Sequence, residues 1–141
     1  RIIPLDPDFI TILSQAENHV QESIAREAAE RGKGQQAQIE IYRDYTLDDV
    51  KRWKSYGITH VIYNRPRTRS GPWAEIDIQD LKELIGLGMN VTATGGISYE
   101  SLDILAGLPL YAVICGRSVL KAENPAAEAK RIKERMHELW R

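Results

Sequence analysis

"NVTATGGISYESL", residues 90–102, runs five strand-like residues into two adjacent glycines and then opens a helical pattern. Gly95 and Gly96 cost backbone entropy and contribute no side chain, so that turn needs a bare backbone. The same arrangement returns about 20 residues on in "AVICGRS", where Gly116 and Arg117 follow an apolar run. A strand, a glycine turn and a helix in succession, repeated, is the signature of a βα unit.

Working outward, short runs rich in Val, Ile and Tyr read as strands at 9–13, 38–42, 60–64, 90–94 and 111–115. Helical patterns lie between and after them, at 16–31, 46–56, 77–87, 99–106 and 124–140. Thr46 with Asp49 fits a capping box, Ser98 fits an N-cap, and Asn124 followed by Pro125 pairs an N-cap with proline at the first helical position. Gly32, Gly57, Gly88 and Gly107 sit where helices should stop. The strands read as apolar on both faces, as parallel strands covered by helices do. Five consecutive βα units over one domain, residues 1–141, fit either a segment of a (β/α)₈ TIM barrel or an open doubly wound five-stranded α/β sheet.

The bulk numbers narrow the partners. Hydrophobic residues make up 43% of the 141 and charged residues 28%, with a net charge of -1 and no run of one sign. That argues against nucleic acid, whose phosphates need a clustered basic surface. No apolar run approaches the ~20 residues of a membrane span, and no signal-peptide pattern is present. Cys115 is the only cysteine, which excludes an internal disulfide and fits a reducing, cytoplasmic compartment. His19, His60 and His137 show no metal-ligand spacing, so no metal site is legible. Cys115 reads as packing, and Trp53 and Trp140 as helix residues facing the sheet.

Several residues carry chemistry. N–H groups at Gly95, Gly96 and Gly116, at βα turns that open helices, form an anion site, and in parallel units all lie at one end of the sheet. Arg117 adds a forked cation. Glu40, between Ile39 and Ile41, is either functional inside a barrel mouth or a solvated residue of an edge strand. In "YNRPRTRS", Asn64, Arg65, Arg67 and Arg69 form a basic loop stiffened by Pro66, which reads as solvated or as reaching an anionic substrate.

Together, "QIEIYRDYTLDDVKRWKSYGITHVIYNRPR", "VTATGGISYESL", "VICGRS" and "ERMHELW" resemble the 3-keto-L-gulonate 6-phosphate decarboxylase family of the orotidine-monophosphate-decarboxylase superfamily, which also holds hexulose-6-phosphate synthase. The resemblance runs from about residue 9 to 140 and matches the C-terminal strands 4 to 8 of the family's barrel. It implies a carboxy-lyase that turns 3-keto-L-gulonate 6-phosphate into L-xylulose 5-phosphate through a metal-stabilised enediolate, in ascorbate and pentose carbohydrate metabolism. It also implies Mg²⁺, whose family ligands are not in this chain, a sugar-phosphate substrate, a cytoplasmic homodimer, and no role for nucleic acid or membrane. By position it implies that Glu40 and Thr94 contact substrate, that Gly96, Gly116 and Arg117 bind phosphate, and that Arg67 assists protonation. The family's proton-delivering histidine falls on Asn64, whose amide does not titrate. An aldolase like hexulose-6-phosphate synthase, or a non-catalytic sugar-phosphate-binding half-barrel, are the rival readings. Arg1 in place of Met fits a chain that begins within the barrel, and five strands alone would leave two open edges.

Overall fold

A computed structural model describes residues 7–31, 34–42 and 44–141. Five strands alternate with helices: β1 (Phe9–Leu13), α1 (Asn18–Glu30), β2 (Gln36–Ile41), α2 (Leu47–Ser55), β3 (His60–Asn64), α3 (Glu75–Gly86), β4 (Asn90–Thr94), α4 (Leu102–Leu105), β5 (Ala112–Val113), α5 (Arg117–Leu120) and α6 (Pro125–Leu139). A single 3₁₀ turn, Tyr99–Ser101, leads into α4. The expected strands are all present, with β2 starting two residues early and β5 cut to two residues. The helix expected over 99–106 is the 3₁₀ turn plus one α-helical turn, and α5 had no counterpart in the expectation.

The strands pair in parallel in strict chain order, β1-β2-β3-β4-β5. A doubly wound sheet reverses its strand order at a switch point. None occurs here, so that alternative is set aside in favour of an arc of singly wound βα units. Within the described residues β1 and β5 lack a second ladder neighbour, and the sheet does not close.

Capping chemistry starts two of the helices as expected. The Thr46 side chain accepts from the Asp49 N–H at 3.1 Å while the Asp49 carboxylate accepts from the Thr46 N–H at 2.9 Å. Asn124 accepts from the Ala127 N–H at 3.0 Å ahead of Pro125. Gly57, Gly88 and Gly107 adopt positive φ after α2, α3 and α4, where a chain leaves a helix. Gly32 lies outside the described residues.

One face of the sheet builds the core. Alternation sends Ile12, Ala37, Ile39, Ile41, Val61, Val91 and Ala93 toward the helices, where they meet Val50, Trp53, Leu81, Leu84, Leu102 and Leu105. Fully burying each Val, Leu or Ile among them is worth about 1.5–3 kcal/mol. From α6, Ile132 is buried, while Met136 and Trp140 pack partly on the same core. Cys115 packs there too, and burial raises its thiol pKa, which suits packing rather than reactivity.

The other face is mixed, contrary to the expectation of strands apolar on both sides. Thr11, Gln38 and Glu40 occupy it, and the Gln38 amide donates to Thr11 Oγ1 at 2.9 Å. Partial access to water explains this composition, because a sheet with one solvated face alternates apolar and polar residues. At the strands' N-terminal ends this concave face carries a ring cluster. Phe9, His60 and Tyr111 meet edge to face, with centroids 5.0, 4.7 and 6.0 Å apart. Phe9 lies on β1 and Tyr111 immediately precedes β5, so only a strongly curled sheet brings them together. His60, expected at a core edge, is buried in this cluster, whereas His19 and His137 are exposed as expected.

A buried polar knot links the first two units. Gln21 on α1 is 1% exposed; its amide donates to the Ala16 carbonyl at 2.9 Å, and its Oε1 accepts from Trp53 Nε1 at 3.0 Å. Replacing Trp53 with Phe removes that donor and leaves a buried acceptor unmatched. Such a loss costs about 1–3 kcal/mol, so a fall of about 2 kcal/mol in unfolding free energy is expected for Trp53→Phe in urea denaturation.

Candidate active site

Because all strands run the same way, the loops after β3, β4 and β5 share one rim. They enclose a cleft of about 1030 Å³. Asn64 and Arg67 line it from the first loop, Thr94, Gly95 and Gly96 from the second, and Gly116 and Arg117 from the third. Seven of the eight expected site residues thus border one space. The eighth, Glu40, lies one strand away on β2 and is joined to it by a hydrogen bond from Asn64 Nδ2 to Glu40 Oε1, 3.2 Å long. Since β2 is an interior strand, the edge-strand alternative for Glu40 is wrong.

The ladder itself carries the rim into register. Asn64 pairs with Thr94 across β3 and β4, and the Arg65 N–H donates to the Thr94 carbonyl at 3.0 Å. On the other side the Ile114 N–H donates to the Ala93 carbonyl at 2.9 Å, and Thr94 Oγ1 donates to the Ile114 carbonyl at 3.3 Å. Ser118 Oγ donates to the Ile97 carbonyl at 2.7 Å, tying the third loop to the second.

The two adjacent glycines have different reasons to be bare. Gly95 has φ +103°, and a Cβ there would stand 2.8 Å from Arg65 Cβ and 2.9 Å from the Arg65 nitrogen. Its carbonyl also accepts from Trp73 Nε1 at 3.1 Å. Close packing of two loops therefore decides Gly95. Gly96 has φ +74° and open space around it, and the space around Gly116 is open too, so these two present unshielded backbone to the cleft. The helices that follow are a single 3₁₀ turn with one α turn, and the four residues of α5. Such short helices have little aligned dipole, so the anion-holding capacity rests on N–H groups and cations rather than on the helix termini first expected.

Charge in the cleft is one-sided. Among the described residues Arg65, Arg67, Arg69, Arg117 and Lys121 line it, and no carboxylate does. The sequence reading missed Lys121, which sits one turn beyond Arg117 and could have been found by that spacing alone. Arg65 and Arg69, the arginines expected to be solvated or to reach a substrate, are instead held by Asp77. Its carboxylate is fully buried and accepts from Arg65 Nε and Arg69 Nη1, each at 2.8 Å, and from the Ala74 N–H at 3.0 Å. Arg69 also donates to Asp80 at 2.7 Å and to the Tyr63 hydroxyl at 3.1 Å. Arg67, Arg117 and Lys121 make no ion pair among the described residues. Three unmatched cations beside two open glycine backbones suit a ligand with more than one negative charge.

No group of three or more His, Cys, Asp or Glu side chains able to hold a metal occurs among the described residues. Mg²⁺ takes carboxylate and phosphate oxygens. The cleft has no carboxylate lining and Glu40 is engaged by Asn64, so the described residues do not fit Mg²⁺.

Two expectations follow. Gly95→Ala adds a backbone collision to an unfavourable φ and should cost about 3–4 kcal/mol or prevent folding, whereas Gly96→Ala should cost only about 1–2 kcal/mol, read by denaturant titration. The second concerns acid. Burial alone would push the Asp77 carboxyl up, but the hydrogen bonds from Arg69, the Ala74 N–H and Arg65 outweigh it and hold the pKa below its usual 3.8. A depressed folded pKa gives stability that is complete above the unfolded value and is withdrawn as pH falls through the folded one. The thermal midpoint should therefore hold from pH 7 to about 5 and drop below about 4, and Asp77→Asn should lower it at neutral pH while flattening the acid drop.

Known proteins share this arrangement of elements. Residues 1–132 match the orotidine 5'-phosphate decarboxylase / HUMPS family. The 3-keto-L-gulonate-6-phosphate decarboxylase UlaD of Salmonella paratyphi B is 32% identical over 136 residues, which take in 94% of this chain and 62% of that protein. The chain thus spans less than two thirds of the curated relatives it matches. Among solved structures, KGPDC from Streptococcus mutans in complex with D-ribose 5-phosphate superposes with a TM-score of 0.88 at 28% identity, over 96% of this chain and 64% of that one. The 3-keto-L-gulonate-6-phosphate decarboxylase of Vibrio cholerae superposes with a TM-score of 0.85 at 29% identity, over 99% and 65%. The 3-hexulose-6-phosphate synthase of Salmonella typhimurium, at 21% identity, a TM-score of 0.80, and 97% and 65% coverage, shares the fold.

Proposed function

The chain belongs to the orotidine 5'-phosphate decarboxylase / HUMPS family, and we propose that its cleft holds the phosphate of a β-keto sugar-acid phosphate, 3-keto-L-gulonate 6-phosphate, for decarboxylation to L-xylulose 5-phosphate. The observation that carries this reading is the pairing of open backbone at Gly96 and Gly116 with the cations Arg67, Arg117 and Lys121, unmatched among the described residues, in one cleft. The similarity to UlaD and to KGPDC structures, one of them bound to D-ribose 5-phosphate, supports the substrate class.

In this reading the N–H groups of Gly96 and Gly116 and the Arg117 guanidinium hold the ester. Glu40 and Thr94 face the sugar hydroxyls. The bond to the carboxyl carbon breaks, CO₂ leaves, and its electron pair stays behind as an enediolate. Asn64 is neutral and cannot donate a proton as a general acid. Its amide, fixed by Glu40, and the Arg67 guanidinium would instead orient a water that protonates the carbanion carbon. No step is assigned to Mg²⁺, because the described residues do not fit it. The proposal extends to a homodimer in the cytoplasm, as the family resemblance implies; the described helices themselves include none long and apolar enough to cross a membrane.

One observation favours a second reading. Asn64 removes the titrating group from the protonation position, and an aldol reaction of the hexulose-6-phosphate-synthase kind ends its enediolate on an aldehyde carbon rather than on a proton.

Calorimetric titration with ribose 5-phosphate tests the phosphate site. Arg117→Ala should weaken binding about 10-fold to 100-fold, as expected for loss of a forked charge-assisted contact. CO₂ release from 3-keto-L-gulonate 6-phosphate then separates the chemistries. Tight binding without turnover would mean a sugar-phosphate-binding module.

A further inference from the structure

The loop "NRPRTRS", residues 64–70, spaces three arginines two apart, and the structure treats them differently. Arg65 and Arg69 turn inward to Asp77, while Arg67 is exposed between them without an ion-pair partner among the described residues. The Arg69 N–H donates to the Pro66 carbonyl at 3.0 Å, so Pro66–Arg69 is a β-turn with Arg67 at its first corner. Arg65 also donates from Nη1 to the Gly71 carbonyl at 3.0 Å and from Nη2 to the Pro72 carbonyl at 2.9 Å, gathering the far end of the loop.

Asp77 therefore does three things with two oxygens. It accepts from the Ala74 N–H at the start of α3, it anchors the residue before the turn, and it anchors the residue that ends it. The loop is in turn fastened to the glycine turn, through the Arg65 N–H on Thr94 and Trp73 Nε1 on Gly95. Burying a carboxylate against two guanidiniums is a poor way to gain stability compared with apolar packing. What it provides here is geometry and charge. Together with Asp80, which also accepts from Arg69, it balances two of the five cleft cations and leaves Arg67, Arg117 and Lys121 to act on a ligand.

We propose that Asp77 is a positioning residue: its clamp on Arg65 and Arg69 holds Arg67 over the cleft on the loop after β3, across β4 from Gly116 and Arg117 on the loop after β5, and so at the end of the ligand away from the phosphate. This inference rests on the sugar-phosphate reading of the cleft, and it assigns the non-phosphate end to a carboxylate-bearing or enediolate-like anion held through the clamp.

A double-mutant cycle tests it in the full chain with two probes, 6-phosphogluconate, which carries a carboxylate at the far end from its phosphate, and inorganic phosphate. Arg67→Ala and Asp77→Asn should each weaken 6-phosphogluconate about 10-fold, while inorganic phosphate weakens less than about 2-fold. The double variant should be no weaker than Arg67→Ala alone. A general loosening of the fold would instead multiply the two effects and weaken both probes, and either outcome overturns the assignment. Should Asp77→Asn not fold, Arg69→Gln releases one end of the turn at a partly exposed position. It should weaken 6-phosphogluconate about 3-fold in the wild-type background and not at all beside Arg67→Ala. Undiminished 6-phosphogluconate binding by both clamp variants would also overturn it. A wild-type chain that binds neither probe would refute the reading of the cleft itself, and this inference with it.

Discussion

Every strand in this chain must hand over to a crossing helix before the next strand begins, and that makes all five strands parallel and all five rims coincide. The constraint does more than set topology. It turns residues separated by a whole βα unit into neighbours, since Asn64 and Thr94 face each other by register and the Arg65 N–H lands on the Thr94 carbonyl. The cleft is the space left where those loops diverge. Its chemistry therefore follows from ladder hydrogen bonds that involve no functional side chain.

Where the signal was local, the sequence was readable. The five apolar runs, the Thr46–Asp49 box and the Asn124-Pro125 start are short-range patterns, and each forms at its expected place, although β5 is only two residues long. The seven rim residues were recognisable because strand ends place them together whatever the loops do. The strands' polar concave face was less readable. Thr11, Gln38 and Glu40 alternate correctly, but alternation does not say how much water reaches that face. Asp77 was invisible for a different reason. Its partners come from a loop 8 to 12 residues upstream, and an arginine-rich loop followed by an acidic helix start reads as ordinary solvated charge. Only the fold reveals that the carboxylate is buried.

The glycine pair shows how two causes can wear one motif. Gly95 is small because another loop's backbone presses on it, and Gly96 is small because its φ is positive and its surroundings are open. Both line the cleft, but only at Gly95 does packing by itself require the missing side chain. Asn64 makes the complementary point, because its amide holds a place at the rim and a hydrogen bond to Glu40 yet carries no group that titrates.

The ring cluster of Phe9, His60 and Tyr111 lies at the opposite end of the concave face from the glycine loops. It ties the first, third and last strands together at that end. Its three rings hold the starts of β1, β3 and β5 at a fixed spacing, so the curl that spreads the loops apart over the cleft is braced from below by aromatic edges.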